Sequence, residues 1–356
     1  MNKIIFFFSL SVLMLYCKQP SKEFTDNSTG RRFFSDSSFW NQPIGENPEI
    51  DPRSDYFISL LAQDPTFQSF GININRYTIP VFEVDSTAQP VIFKKHFLSP
   101  EEKEDWKTDR HYFGHGKEFD SLPVPLPASA MPDSASDMHL AIVDWETMTA
   151  WDMWGASKLP DGSWESNTGM RYKLDGPGVF DLSGTDIQNG ESVHFHGPGR
   201  ASGVPIIAGL IMFEEVQAGE IRHKIAGASR FNAFQEFVFP ATWTDGFLVN
   251  GIPEGAVIQL DPALDLSRFD LMPGELAVAR ALQVYGMVLV DWAGGNVIYA
   301  ENLNNDKYGR SWEGVLRDWD GGIITIPVKH YRVLKLKNVV YKGDAKRKVN
   351  SGVPSI

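Results

Sequence analysis

The most distinctive chemical feature of the sequence is a pair of histidines, His194 and His196, separated by one phenylalanine. Alternate residues of a β-strand share a face, so both imidazoles would point the same way. A glycine-proline-glycine turn at 197–199 then brings the fixed charge of Arg200 close to the pair. Together with His223, these basic side chains are predicted to line an active or binding cleft. The alternative is that both histidines are solvated loop residues.

The same histidine pair is a candidate for metal coordination. Protein zinc sites have three or four protein ligands, and no third ligand stands at a recognisable spacing from His194 and His196. The sequence therefore predicts no cofactor, with a divalent metal at the pair as the less favoured alternative. Walker, dinucleotide-binding, hydrolase-elbow and metalloprotease motifs are absent from the sequence.

Tryptophans are concentrated around one acid. Trp151 and Trp154 flank Asp152, and Trp164 follows shortly afterwards. Sugar sites combine indoles and carboxylates in this way, because the ring stacks on C–H faces while the acid binds hydroxyls or protonates a leaving group. On a strand, Asp152 and Trp154 would share one face and Trp151 would take the other. We predict that the three tryptophans bind a glycan and that Asp152 is catalytic; the alternative is a tryptophan-rich core.

The N-terminus predicts export. Lys3 precedes an almost wholly apolar stretch, residues 4–16, which ends at Cys17. This length is typical of a signal-peptide core and short for a membrane-spanning helix. We predict a signal peptide over 1–16 and a lipid on Cys17, which would anchor the protein in the cell envelope, facing the periplasm or the exterior. Because Tyr16 is bulkier than the small residue usual there, a plain signal peptide or an uncleaved anchor is the alternative.

The composition limits the partners. Cys17 is the only cysteine, so no internal disulfide can form and stability must come from a core. The 33 basic and 45 acidic residues give a formal charge of −12. Such an acidic chain is unsuited to nucleic acid, which needs clustered lysines and arginines. The predicted partners are a glycan or polysaccharide, and a membrane through the lipid anchor.

Short apolar segments separated by turns dominate the rest of the chain, for example 140–145 and 149–154. This spacing predicts an all-β or β-rich α+β fold, a β-sandwich or jelly-roll-like domain with two or three inserted helices. The continuous apolar run 205–213 is expected to be buried. Residues 287–291 and 296–300 are predicted to be the two strands of a hairpin whose turn contains two glycines.

The predicted domain organisation follows from these segments. A polar tether covers 17–32, and a single β-rich domain covers 33–341. Within that domain, 33–120 are a candidate small N-terminal lobe, because a proline-rich stretch follows. A basic tail covers 342–356.

Several stretches together are similar to a pattern found in a broad group of secreted bacterial proteins. They are Phe39–Ile44, Asp51–Pro52, Ser202–Ile211, Glu215, Gly219–His223, Pro240–Ala241, Ala281–Met287 and Asp291. The resemblance spans most of the mature chain and implies an exported protein of a kind suspected of acting on glycans. It implies no catalytic residue, and the histidine pair lies outside the shared pattern.

These observations favour an exported carbohydrate-active protein, a glycan hydrolase or lyase. In the lyase version, His194 or His223 removes a proton while Arg200 neutralises a sugar carboxylate. In the hydrolase version, Asp152 is one of two carboxylates. The competing hypothesis is a surface lipoprotein that binds a glycan or a protein without catalysis, and the sequence does not decide whether the protein is an enzyme.

Overall fold

A computed structural model describes residues 31–108, 115, 119–120, 122–179 and 199–341, all within one compact unit that begins at Arg31. The predicted lipidation site Cys17 and the histidine pair His194 and His196 lie outside the described residues. Within the described ranges, no helix has both the length and the apolar character needed to cross a membrane.

Four α-helices are described: α1 (Ser54–Leu61), α2 (Pro100–Thr108), α3 (Phe213–Ala218) and α4 (Pro273–Val284). The start of α4 follows the sequence, because Pro273 occupies the first turn and Glu275 accepts a hydrogen bond from the Met272 backbone N–H at 2.8 Å. Helix α3 ends where Gly219 takes a φ of 77°, a conformation that favours glycine.

Eighteen strands run through the same residues. They are β1 (Gly71–Asn73), β2 (Val81–Glu83), β3 (Gln89–Val91), β4 (Phe93–Lys95), β5 (Val124–Leu126), β6 (Leu140–Asp144), β7 (Thr149–Trp154), β8 (Ser157–Lys158), β9 (Trp164–Ser166), β10 (Thr168–Lys173), β11 (Ile225–Ser229), β12 (Asn232–Phe237), β13 (Ile252–Glu254), β14 (Val257–Leu260), β15 (Met287–Trp292), β16 (Val297–Tyr299), β17 (Tyr331–Val333) and β18 (Val340–Tyr341).

Two larger sheets organise these strands. The six-stranded sheet has the order β1-β16-β11-β15-β14-β17, and the four-stranded sheet has the order β10-β7-β6-β2. The remaining strands form the small sheets β13-β12-β18, β4-β9-β8 and β3-β5. The fold is a β-rich α+β fold, as the sequence predicts.

Alternation along the strands separates the layers. On β15, Met287 and Leu289 pack into a core shared with α1 and α4, whereas Val288 and Val290 pack into a second core. Alternate residues of β6 and β7 from the four-stranded sheet enter that second core, which we call the inter-sheet core. The two larger sheets therefore face each other across the inter-sheet core, and helices cover the outer face of the six-stranded sheet.

The apolar run after Arg200 fills the inter-sheet core. Val204 and the four apolar residues between Ile206 and Leu210 are at most 1% exposed, and Gly209 among them is also buried. The prediction that 205–213 is buried holds for 205–211, whereas Met212 and Phe213 are half-buried where α3 begins. Because both sheets contact it, the run joins the two halves of the fold.

We expect Leu210→Ala to lower the free energy of unfolding by about 3 kcal/mol, since a 1% exposed leucine leaves a cavity when truncated. Urea denaturation of the purified protein measures this change. The same substitution at Leu98, which is 56% exposed, is the matched control and should cost less than about 0.5 kcal/mol. Equal effects of the two substitutions would contradict the burial of Leu210.

Candidate functional site

Asp152 lies between the two larger sheets with no exposed surface. The Tyr172 hydroxyl donates to its Oδ1 at 2.6 Å, and the Ile206 backbone N–H donates to its Oδ2 at 2.7 Å. Burial raises the pKa of Asp152 to about 7, although both hydrogen bonds act in the opposite direction. With both oxygens buried and hydrogen-bonded, Asp152 connects β7 to β10 and to the apolar run and has no exposed surface for a substrate.

The three candidate tryptophans have different surroundings. Trp151 and Trp164 are 5% and 6% exposed and belong to the core on the outer face of the four-stranded sheet. These positions fit the tryptophan-rich core that the sequence left open as an alternative. Trp154 is half-buried, on the opposite side of β7 from Trp151, and its indole hydrogen-bonds to Asp137. Of the three tryptophans, Trp154 is the one that reaches the site described below.

His223 forms a buried ion pair with Glu215. Its Nε2 donates to Glu215 Oε2 at 3.0 Å, and its Nδ1 donates to the Lys224 carbonyl at 2.8 Å. Because both ring nitrogens face acceptors, the imidazolium is the favoured form. Glu215 and the Lys224 carbonyl raise the pKa of His223 despite the opposing effect of burial. Arg200 contacts neither of these groups, so the structure does not join His223 and Arg200 in one constellation.

The His223–Glu215 pair predicts a pH-dependent stability. A histidine whose pKa is raised by folding contributes stability below its unfolded pKa, and this contribution is lost as the pH rises through the folded value. We expect His223→Gln to destabilise the protein by about 1 to 2 kcal/mol at mildly acidic pH, and by less at alkaline pH. Urea unfolding across that range measures the difference.

His330→Gln serves as the control for this measurement, because His330 packs edge-on against Phe269 and forms no ion pair among the described residues. It should keep the pH dependence of the wild type. A cost of His223→Gln that is the same at every pH would mean that the pair acts only through packing.

Arg200 lies in the inter-sheet core, and its side chain is 0% exposed. Its Nη2 donates to the Ile206 carbonyl at 3.0 Å, and its guanidinium lies 4.3 Å from the centre of the Tyr299 ring. Nη1 is 3.5 Å from Asp291 Oδ2, an ion-pair distance without hydrogen-bond geometry. A guanidinium so enclosed supports Asp291 from inside the protein and has no surface for binding a sugar carboxylate.

Asp291, the ion-pair partner of Arg200, also interacts with neighbouring acids. We call these four side chains the carboxylate cluster: Asp137, Asp245, Glu254 and Asp291. Burial raises the pKa of Asp291, Asp245 raises it further, and Arg200 lowers it. The pKa of Glu254 is also well above its usual range because of burial and the charges of Asp245 and Asp291. Mutual repulsion of this kind favours retention of a proton within the cluster at neutral pH.

The members of the carboxylate cluster differ in accessibility. Glu254 is 0% exposed, and its Oε1 accepts a hydrogen bond from Asn232 Nδ2 at 2.8 Å. Asp245 is half-buried, and its Oδ1 accepts a hydrogen bond from the Trp292 backbone N–H at 3.1 Å. The Asp291 side chain is 18% exposed. Asp245 and Asp291 are therefore accessible to a ligand. Glu254 is inaccessible and contacts Asp245 from inside the protein.

The backbone explains how these acids are placed. Asp291 follows the buried part of β15, and the register against β11 shifts so that Val290 is an extra residue before it. Such a bulge redirects the side chain that follows. Glu254 ends β13, where Gly255 takes a φ of 89° and a Cβ would overlap the Val238 carbonyl. Glycine at this position lets the chain turn while Glu254 stays buried.

Exposed aromatic rings lie next to the carboxylate cluster. Trp292 and Phe247 are 41% and 44% exposed, and their rings meet edge to face at 90° with centroids 5.7 Å apart. Trp292 follows Asp291 in the chain and donates its backbone N–H to Asp245. Accessible carboxylates beside an exposed indole are suited to binding sugar rings and transferring protons.

Metal chemistry finds no support in the part of the chain that the structure describes, where no group of three or more histidine, cysteine or acidic side chains could hold an ion. The histidine pair, the candidate metal site of the sequence, lies outside that part.

No family model, no curated protein and no solved structure matches this chain. The resemblance to secreted bacterial proteins therefore stays a prediction.

Sequence reasoning missed most of the carboxylate cluster. Asp291 belonged to the resembling pattern without a role, and Asp137, Asp245 and Glu254 were not singled out. Two local patterns could have drawn attention to them. Asp245 and Glu254 are each followed directly by glycine, and Asp291 comes directly after the four apolar residues 287–290.

Proposed function

We propose that the protein is an exported carbohydrate-active enzyme and that it hydrolyses a glycan. The observation that carries this proposal is the carboxylate cluster beside the exposed rings of Trp292 and Phe247. Asp291 is the candidate general acid, since its raised pKa keeps a proton available and part of its side chain is exposed. Asp245 is the candidate second carboxylate, and glycan hydrolysis needs two.

Three further side chains have positioning roles in this proposal. Arg200 holds Asp291 from the inter-sheet core, and the Tyr299 ring packs against the Arg200 guanidinium. Glu254 lies beneath Asp245 and shares a proton with it, which keeps the local charge below that of separate carboxylates. The catalytic groups of the proposal are thus carried by a strand end and a neighbouring loop, both supported by a packed core.

The hydrolase is favoured over the lyase. A lyase acting on uronic acids needs a cation to neutralise the sugar carboxylate, and Arg200 has no exposed side-chain surface. The carboxylate cluster would also repel an anionic sugar. The two versions release different products, so one assay separates them.

Incubation of the purified mature protein with a panel of neutral, amino and acidic polysaccharides tests the proposal. We expect new reducing ends without the ultraviolet absorbance of unsaturated uronates. Unsaturated products would show a lyase. Saturable binding with no product from any polysaccharide would support the competing hypothesis of a non-catalytic surface protein.

A further inference from the structure

Glu254 and Asp245 are two acidic side chains joined by a hydrogen bond. Ionised carboxylates are acceptors only, so a hydrogen bond between two of them requires that one carries a proton. The position of this proton determines whether Asp245 is ionised and can act as the second carboxylate of the proposed reaction. The contacts and the burial of the two side chains indicate where the proton lies.

Asn232 determines how the Glu254 carboxyl group is oriented. The Asn232 Nδ2 donates to the Asp291 backbone carbonyl at 2.7 Å and to Glu254 Oε1 at 2.8 Å. Because a backbone carbonyl only accepts, the nitrogen of the Asn232 amide, and not its oxygen, must face both groups. Oε1 of Glu254 is therefore an acceptor, and Oε2 is the oxygen left for the contact with Asp245.

Accessibility also distinguishes the two acids. Glu254 and the neighbouring Asn232 are 0% exposed, so a negative charge on Glu254 would be held away from water. Burial raises the pKa of Glu254, and Asp245 raises it further. Asp245 is half-buried, and its Oδ1 accepts the Trp292 backbone N–H at 3.1 Å, which favours its ionised form. Both comparisons favour a proton on Glu254 and a negative charge on Asp245.

We propose that Glu254 is a protonated positioning residue whose Oε2–H donates to Asp245, so that Asp245 is the ionised carboxylate of the site and Asp291 is the acid. This inference rests on the proposed function and assigns the two roles within the same site. Burial and the negative charge of Asp245 raise the pKa of Asp291, which keeps the acidic proton on Asp291.

These proton positions suit both known ways of hydrolysing a glycosidic bond. In each, the Asp291 proton passes to the leaving oxygen as the bond between that oxygen and the sugar breaks. Asp245 either takes a proton from the water that attacks the sugar, or attacks the sugar itself and is released by a water whose proton returns to Asp291. A protonated Asp245 could do neither. Glu254 keeps its proton throughout and has no exposed surface with which to touch a substrate.

Infrared spectroscopy tests the position of the proton without any substrate. Protonated carboxylic acids and carboxylates have distinct stretching bands, so the difference between the wild-type and Glu254→Gln spectra at neutral pH reports on Glu254. We expect Glu254→Gln to lose a protonated-acid band. Asp175→Asn, at an exposed acid beyond β10, is the control and should lose a carboxylate band. Loss of a carboxylate band in Glu254→Gln would overturn the proposal.

The pH dependence of hydrolysis tests the positioning role. Glutamine keeps an oxygen for Asn232 and an N–H donor for Asp245, so Glu254→Gln should keep hydrolysis and the acidic limb of the kcat/KM profile. Methionine has no such donor, and in Glu254→Met the acidic limb should move upward by about one to two pH units, the effect of one hydrogen bond to a charged acceptor. A lower rate or melting temperature without movement of this limb would make Glu254 a structural residue.

The outcomes distinguish the inference from the proposed function. An ionised Glu254 at neutral pH, or a folded Glu254→Gln protein that has lost the hydrolysis seen in the wild type, overturns the proton assignment. A protonated Glu254 in a wild-type protein that hydrolyses no polysaccharide supports the assignment and rejects the hydrolase. Carbon NMR of wild-type protein labelled in its glutamate carboxyl groups needs no substitution, and a glutamate should stay protonated as the pH rises past neutral. The absence of such a signal also overturns the assignment.

Discussion

The Asp291→Asn variant should lose glycan hydrolysis by about 100-fold to 10,000-fold in kcat while keeping its fold. Asparagine has the shape of a protonated aspartate, so the contact with Arg200, which itself packs on the Tyr299 ring, is preserved. What it lacks is an acidic proton that can pass to a leaving group. The expected change therefore falls on kcat, with little change in the melting temperature.

Rates of reducing-end formation for the wild type and variant, with melting temperatures measured alongside, test this expectation. Asp175→Asn makes the same chemical change at an exposed site beyond β10 and should leave the rate unchanged. Full activity of Asp291→Asn would remove Asp291 from catalysis. A loss of activity accompanied by unfolding would instead assign it a structural role in supporting Arg200.

Local patterns predicted the features of the fold that depend on neighbouring residues. Helix α4 could be placed because Pro273 and Glu275 are helix-start residues, and the end of α3 because Gly219 favours a left-handed backbone. The apolar run through Leu210 was identified as buried because it has no polar face. Each of these features is determined within a few residues of the chain.

Pairings between distant segments could not be predicted in this way. The hairpin expected from 287–291 and 296–300 is wrong, because β11 lies between β15 and β16, parallel to the first and antiparallel to the second. Asn296 helps to fix this arrangement, since its side chain bonds to Ser229 on β11 and to the Leu61 carbonyl at the end of α1. These partners are far apart in sequence, and a two-glycine turn carries no information about them.

The candidate site was missed for the same reason. Asp291 lies on β15, Glu254 is the last residue of β13, and Asp245 lies in a loop, so the three are in different segments of the chain. Only the folded sheet brings their charges together, and burial and mutual repulsion in the folded state raise the pKa values of Glu254 and Asp291. Clustering in sequence drew attention to Trp151 and Trp164, which are core residues in the structure.

Asp152→Ala should be among the most destabilising substitutions in the described residues, by about 4 to 5 kcal/mol at neutral pH. Removing the carboxylate leaves the Tyr172 hydroxyl and the Ile206 N–H unpaired inside the protein, each at about 1 to 3 kcal/mol, and opens a cavity between the sheets. Asp152→Asn is the informative partner variant, because its carbonyl can still accept from Ile206 and its amide can donate to the Tyr172 oxygen. It should cost less than about 1 kcal/mol.

The pH dependence of Asp152→Asn separates a structural from a catalytic role. Folding raises the pKa of Asp152 to about 7, so the folded state holds a proton that the unfolded state releases above its ordinary value near 4. The free energy of unfolding of the wild type should therefore fall as the pH rises from about 4 through 7. Asp152→Asn should lack this part of the pH dependence, so its stability relative to the wild type should increase at higher pH. Urea unfolding of both proteins at several pH values measures the difference, and glycan hydrolysis should persist in the variant. A folded Asp152→Asn protein with the wild-type pH slope and no hydrolysis would instead return Asp152 to the catalytic role predicted from the sequence.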